Sequence, residues 1–95
     1  MIYIHAKLQL VQGKAAEFND LLANGIVPSV GKYGMKLVGS WENVVGNRDE
    51  IIDIWQLDSI EQYEAFTRET RAMSSPLVIS ETTKLIRPLP CSPLR

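Results

Sequence analysis

The spacing of apolar residues changes several times along this chain. The order of these changes limits the possible folds more than any other property of the sequence. Apolar side chains recur at every second position over residues 2–10, which predicts a strand with one apolar face. From Ala15 onward the step becomes three or four residues, as on one face of a helix. The apolar stripe of this helix comprises Ala15, Phe18, Leu21, Leu22 and Ile26. Pro28 is expected to kink or end the helix, because proline has no backbone N–H to donate.

Two closely spaced strands follow this helix. Residues 35–45 and 51–57 are separated by a short polar turn, so they predict an antiparallel hairpin. Alternation places Leu37, Gly39 and Trp41 on one side of the first of these strands. Gly39 also marks a weak point or bulge there, because glycine contributes no side chain to the packing of a strand.

A second helix and a fourth strand complete the pattern. Ser59 and Gln62 fit the capping box that begins a helix. The predicted inner stripe of this helix is Ile60, Tyr63, Phe66 and Thr70. Residues 77–83 fit either a helical turn or extended chain, whereas residues 83–89 predict a strand. The proline-rich residues 88–95 form a tail that we expect to lie across a partner subunit as far as Leu94.

The elements therefore follow the order β-α-β-β-α-β, which is typical of a ferredoxin-like α+β fold with a four-stranded antiparallel sheet. A chain of 95 residues has room for one hydrophobic core, so residues 1–95 are assigned to a single domain. Two helices on one face of such a sheet leave the other face open.

The open face predicts a homodimer. Ile51 and Trp55 alternate with Ile52 and Ile54, so both faces of the third strand carry large apolar groups. Burial of one tryptophan contributes on the order of 2–3 kcal/mol. We therefore expect two sheets to pack face to face and close into one barrel. The alternative is that Trp55 and Trp41 both lie beneath the helices of their own subunit.

Composition and charge exclude several classes of function. The net charge of −1 comes with no basic stripe, which argues against nucleic-acid binding. Cys91 is the single cysteine and His5 the single histidine, too few for an ordinary zinc or iron site. No phosphate-binding glycine loop, signal peptide or membrane-spanning segment is predicted. We expect a cytoplasmic protein that uses no cofactor.

The residues resemble those of the NIPSNAP family, within the dimeric α/β barrel superfamily. The similar segments are residues 10–14, 36–41, 45–47, 50–55, 58–61 and 86–94. The resemblance implies the dimeric barrel but no defined activity, and neighbouring families include cofactor-free monooxygenases of polyketide-like aromatics and haem-binding enzymes. Ala6 and Asp53 stand where family members often have arginine and histidine, and residues 71–84 are shorter than usual.

The candidate catalytic residues are His5 and Asp53. His5 is the side chain whose ordinary pKa suits proton transfer near neutrality, and Tyr3 and Lys7 share its polar face. The three would bind and polarise a carbonyl or phenolic ligand, unless His5 is only a half-exposed strand residue. Asp53 occupies an apolar face, where a carboxylate needs a partner. It would act as a base or orient His5, or form an ion pair with Lys7 or Arg87.

Three further residues are candidates for ligand binding. Trp41 and Trp55 would form the walls of an apolar pocket, or else belong to the dimer core. Arg87 would hold an anionic group, or make a surface salt bridge.

Three functions remain open at this point. The first is a NIPSNAP-like protein that binds a small apolar ligand in a cavity of the dimeric barrel. The second is a cofactor-independent monooxygenase or isomerase that acts on a small aromatic or polyketide-like substrate. The third is a structural dimerisation module. The sequence does not decide whether the chain is an enzyme.

Overall fold

The computed structural model describes residues 1–93 and confirms the predicted order of elements. The strands are β1 (Ile2–Leu10), β2 (Lys36–Glu42), β3 (Glu50–Leu57) and β4 (Val78–Ile86). The helices are α1 (Ala15–Leu21), α2 (Val27–Gly31) and α3 (Glu61–Ser74), and a π-helical turn (Leu22–Ile26) joins α1 to α2. The four strands form one antiparallel sheet in the order β2-β3-β1-β4, which is the ferredoxin-like arrangement.

One face of the sheet packs against the helices, as the alternation in β1 predicts. The even positions of β1, from Ile4 to Leu10, and the odd positions of β3, from Ile51 to Leu57, are buried on this face. Trp55 is 1% exposed and meets the ring of Phe66 edge-on, with ring centroids 5.1 Å apart and an interplanar angle of 61°. The core therefore lies between the helix-facing side of the sheet and the two helical segments.

The first helical segment continues beyond Pro28 instead of ending there. Pro28 lies in the first turn of α2, where a missing N–H is tolerated. The π-helical turn comes directly before it and brings Leu22 and Ile26 into the core. Gly25, in this turn, approaches α3 so closely that a Cβ added to it would lie 2.9 Å from Cε of Met73. Wider turns of this kind are frequent at functional sites.

A bulge in β2 changes the predicted faces of that strand. Leu37 pairs with Trp55 on the helix-facing side, but the register shifts between Leu37 and Gly39. The prediction that Leu37 and Trp41 share a side is therefore wrong, because the extra residue moves Trp41 to the open side, opposite Ile52. Trp41 is 51% exposed. One tryptophan thus lies beneath the helices and the other does not.

Several boundaries also differ from the prediction. β2 ends at Glu42 rather than at residue 45, since the Asn43 side-chain amide donates to the Asn47 carbonyl at 2.8 Å and closes a loop. β4 begins at Val78, because it pairs with β1 over nearly its whole length. The inclusion of Ile60 in the inner stripe of the second helix is wrong, since it is 59% exposed and precedes α3.

The predicted capping box of α3 is formed only in part. The side-chain oxygen Oε1 of Gln62 accepts hydrogen bonds from the backbone N–H groups of Asp58 and Ser59, at 2.6 and 3.2 Å. No side chain caps the start of the helix in return.

Candidate functional site

Asp53 lines a small cavity between the sheet and the helices. It faces inward because the odd positions of β3 point toward the helices, and it is 3% exposed. The cavity has a volume of about 20 Å³, which is room for about one water molecule. Its walls are mainly apolar and aromatic; they include Phe18, Leu22, Trp55 and Phe66.

Ser40 connects this cavity to a wide groove between α1 and β2. Its hydroxyl donates a hydrogen bond of 2.5 Å to Oδ1 of Asp53, across the pairing of β2 with β3. Ser40 also lines the groove, which has a volume of about 600 Å³ and is bordered by Trp41 and Glu42. Phe18 and Leu22 line both the groove and the cavity, so the two spaces share part of their walls.

A second depression lies on the opposite side of the cavity. It has a volume of about 290 Å³ and contains Arg71 among its lining residues. Ser74 and Glu81 line both this depression and the cavity. The cavity therefore shares wall residues with an open space at the β2 edge of the sheet and with another at the β4 edge.

The surroundings of Asp53 favour its protonated form. Burial removes the carboxylate from water and raises the pKa of Asp53 to about 6; the hydrogen bond from Ser40 opposes this, and the negative charge of Glu81 adds to it. Asp53 forms no ion pair with any residue in the range 1–93. A carboxyl group with this pKa can exchange a proton near neutral pH.

The structure does not bring His5 and Asp53 together. His5 pairs with Ile54 and Asp53 pairs with Ala6, so their side chains leave the sheet on opposite faces. Lys7 shares the open face with His5 and forms an ion pair of 3.5 Å with Glu50, not with Asp53. Proton transfer between His5 and Asp53 within one subunit is therefore excluded by the direction of the two side chains.

Tyr3 and Arg87 lie together on the open face of the sheet, away from the cavity and the groove. They border a depression of about 160 Å³ together with Ile54, Pro88 and Ser92. Tyr3 is 6% exposed although it lies on the open side of the sheet. The tail thus lies beside its own sheet, and its contact with a partner subunit stays a prediction; Leu94 lies outside the described residues.

Of the predicted ligand-binding residues, only the two tryptophans line the cavity or the groove. Trp55 lines the cavity and Trp41 borders the groove. Ser40 and Glu81 were missed. Ser40 faces Asp53 only because of the bulge in β2, and Glu81 lies in the segment whose conformation was ambiguous.

Among residues 1–93, no three side chains of His, Cys, Asp or Glu lie together as metal ligands would. In the same part of the chain, no helix has the length and apolar character that crossing a membrane requires.

Comparison with known proteins identifies the family. The NIPSNAP family profile matches residues 3–93. The comparison with curated proteins gave no match. A NIPSNAP family protein of unknown function from Agrobacterium tumefaciens has a similar structure, with a TM-score of 0.81 and 19% identity, covering 100% of this chain and 94% of that chain.

Two other solved structures show the same fold. An uncharacterized NIPSNAP domain protein from Burkholderia xenovorans gives a TM-score of 0.77 at 17% identity, covering 98% of this chain and 99% of that chain. A candidate antibiotic biosynthesis monooxygenase from Nitrosomonas europaea gives a TM-score of 0.72 at 8% identity, covering 94% and 99% of the two chains. With the profile match over nearly its whole length, this chain belongs to the NIPSNAP family.

Proposed function

We propose that this NIPSNAP chain binds a small ligand with an apolar body and a polar head group. The body lies in the groove between α1 and β2, and the head group points toward Asp53. The hydrogen bond from Ser40 to Asp53 carries the proposal, because it joins the wall of an open groove to a buried carboxyl group.

The volumes and the chemistry of the walls support this function. A groove of about 600 Å³ falls within the volume range of ligand pockets, and its wall combines apolar side chains with polar ones that can fix the orientation of a ligand. Asp53 is the buried polar group, and Phe18 and Leu22 are apolar side chains that line both its cavity and the groove. A buried carboxyl without an ionic partner costs stability, and such groups cluster at functional sites.

A titration with 2-naphthol, followed by amide NMR spectra, tests the proposal. We expect the largest shift changes at Phe18, Leu22 and Ser40. Ala16 is an exposed residue that lines the groove, so Ala16→Trp should obstruct it and weaken binding.

The control is Ala72→Trp, which places the same side chain at an exposed position of α3 that lines neither the groove nor the cavity. This variant should bind 2-naphthol like the wild type. Shifts confined to the open face of the sheet, or equal binding by both variants, would contradict a site in the groove.

A second function is favoured by the acid–base character of Asp53. We propose that this carboxylate, without His5, removes a proton from carbon next to a carbonyl group, as a cofactor-independent isomerase or monooxygenase of aromatic ketones requires. The C–H bond breaks, its electron pair forms the enolate, and the proton moves to the carboxylate. The rise of the pKa of Asp53 to about 6 by burial supports this role.

Deuterium exchange of 2-tetralone in heavy water, followed by proton NMR, tests this second function. Wild-type protein should accelerate exchange next to the carbonyl, whereas Asp53→Asn should not. Asp20→Asn, at an exposed position of α1, should exchange like the wild type. Equal exchange by all three proteins would exclude Asp53 as the base.

We also propose that two copies of the chain pack through the open face of the sheet. Ile52 and Ile54 are only half-buried there, and Trp41 is 51% exposed. Val38 and Ile86 add exposed apolar surface, at 40% and 39%. A second copy would cover this surface while leaving the Asp53 cavity, on the other side of the sheet, complete in each subunit.

A further inference from the structure

We infer that the ligand of the Asp53 site is a primary amine, whose ammonium head group meets Asp53 and whose apolar or aromatic body fills the groove between α1 and β2. This inference rests on the proposed function, since it assigns the chemical class of the ligand in that site. Four observations carry it.

The first is the sign of the charges. Asp53 and Glu81 line the cavity, and Glu42 borders the groove. None of the residues that line either space, within the described range, is lysine, arginine or histidine. The site therefore offers negative groups without a cation from the chain, and an ammonium ion would supply it.

The second is the small number of hydroxyl groups that donate to Asp53. Oδ1 accepts the hydrogen bond from Ser40, and the cavity contains two further hydroxyl groups, on Thr70 and Ser74. Both of these donate to carbonyl groups of their own helix, Thr70 to Phe66 at 2.9 Å and Ser74 to Thr70 at 2.7 Å. Their protons are committed to backbone carbonyl groups, so of these three hydroxyl groups only that of Ser40 donates to the carboxylate. An ammonium group brings three donors.

The third is the difference in volume between the cavity and the groove. About 20 Å³ around Asp53 holds a group the size of one water molecule, and an ammonium group is of that size. The groove of about 600 Å³, which Phe18 and Leu22 also line, accommodates a much larger body. A small head group attached to a larger apolar body matches these two volumes.

The fourth is the aromatic wall. Phe18, Trp55 and Phe66 line the cavity, and cations bind favourably to the faces of aromatic rings. Arg71 would repel an ammonium ion, but it lines the depression on the β4 side and not the groove. The amine is therefore expected to enter between α1 and β2.

The experiment compares benzylammonium with benzyl alcohol, which has nearly the same shape but no charge. Binding of each to the full chain at pH 7.5 is measured by NMR titration in one buffer. Wild-type protein should bind benzylammonium at least about tenfold more tightly than benzyl alcohol. Asp53→Asn should abolish this preference, and Asp20→Asn should keep it.

The outcomes separate the inference from the function on which it rests. Equal affinity for the two compounds, or a preference that persists in Asp53→Asn, would overturn the amine inference but leave the binding site intact. If neither compound binds while 2-naphthol does, the amine inference fails and the proposed function stands. If none of the three compounds binds, both fail.

Discussion

Ser40 and Asp53 face each other across the pairing of β2 with β3, and the Ser40 hydroxyl donates to the Asp53 carboxyl at 2.5 Å. The bulge between Leu37 and Gly39 makes this contact, since without the extra residue Ser40 would point to the open side of the sheet. One local irregularity thus connects the groove to the buried acid.

Asp53 should make the stability of the protein depend on pH. Burial raises the pKa of Asp53 to about 6, above the value of 3.8 that an unperturbed aspartate has. The folded state therefore binds the proton more tightly than the unfolded state, and this contribution to the free energy of unfolding is lost as the pH rises from about 4 to above 6. The expected loss is roughly 2–3 kcal/mol, at about 1.4 kcal/mol per pKa unit.

Urea unfolding of Asp53→Asn at pH 4.5 and pH 8 measures this contribution. The amide keeps an acceptor for Ser40 but carries no charge, so the variant should be more stable than the wild type at pH 8, by roughly 1–3 kcal/mol, and gain much less at pH 4.5. Asp20→Asn is the control, because it shows how much the stability changes when an exposed carboxylate is removed. A wild-type pH dependence unchanged by Asp53→Asn would show that Asp53 is not desolvated.

The contact between Trp55 and Phe66 should contribute measurably to stability. Phe66→Leu removes the edge-to-face interaction at 5.1 Å and leaves extra space beside Asp53. We expect the free energy of unfolding to fall by about 1–2 kcal/mol, measured with urea at fixed pH. A value equal to that of the wild type would mean that the two rings do not pack in this way.

Gly34 and Gly31 form a matched pair for a test of the turn that leads into β2. Gly34 has φ of +82°, and a Cβ there would lie 3.1 Å from Nε2 of Gln62, so Gly34→Ala should cost about 1–2 kcal/mol. Gly31 ends α2 with no atom within 4 Å of an added Cβ. Gly31→Ala should be neutral or stabilise by up to about 1 kcal/mol. Thermal unfolding compares the two, and a larger loss for Gly31→Ala would refute this description of the turn.

Ile54→Lys tests the proposed packing of two sheets. Ile54 lies in the middle of the open face, where a buried lysine would need a partner. Sedimentation equilibrium should show a dimeric wild type and at least a tenfold weaker association, about 1.4 kcal/mol or more, for the variant. Val45→Lys, at a position 89% exposed in the loop between β2 and β3, should leave association unchanged. A monomeric wild type would contradict the dimer.

The elements were predictable wherever local periodicity decided the structure. The alternation of Ile4 and Leu8 with polar residues, and the helical spacing of Phe18 and Leu22, were sufficient for β1 and α1. The beginning of β4 at Val78 depends on its pairing with β1, a long-range interaction that leaves no local pattern. The face of Trp41 depends on the bulge, which was expected at Gly39, but the predicted faces of β2 did not include the shift in register that the bulge causes.

The site was predictable only in part, for a related reason. Asp53 stood out because a carboxylate in an apolar alternation is costly. Its supposed partner, His5, lies on the neighbouring strand β1. It pairs with Ile54 and not with Asp53, so its side chain points to the opposite face of the sheet. Ser40 follows the bulge in β2, which changes the face to which its side chain points. Glu81 lies in the segment whose conformation was ambiguous. The sequence alone therefore could not place either residue beside Asp53 or its cavity.

The titration of the Asp53 carboxyl carbon, followed by carbon-13 NMR without ligand and with saturating benzylammonium, tests the account most directly. We predict a midpoint near pH 6 in the free protein and a lower midpoint with benzylammonium, because a bound cation stabilises the carboxylate. A midpoint near 3.9 in the free protein, or one that benzylammonium does not move, would contradict a buried acid that receives the ligand.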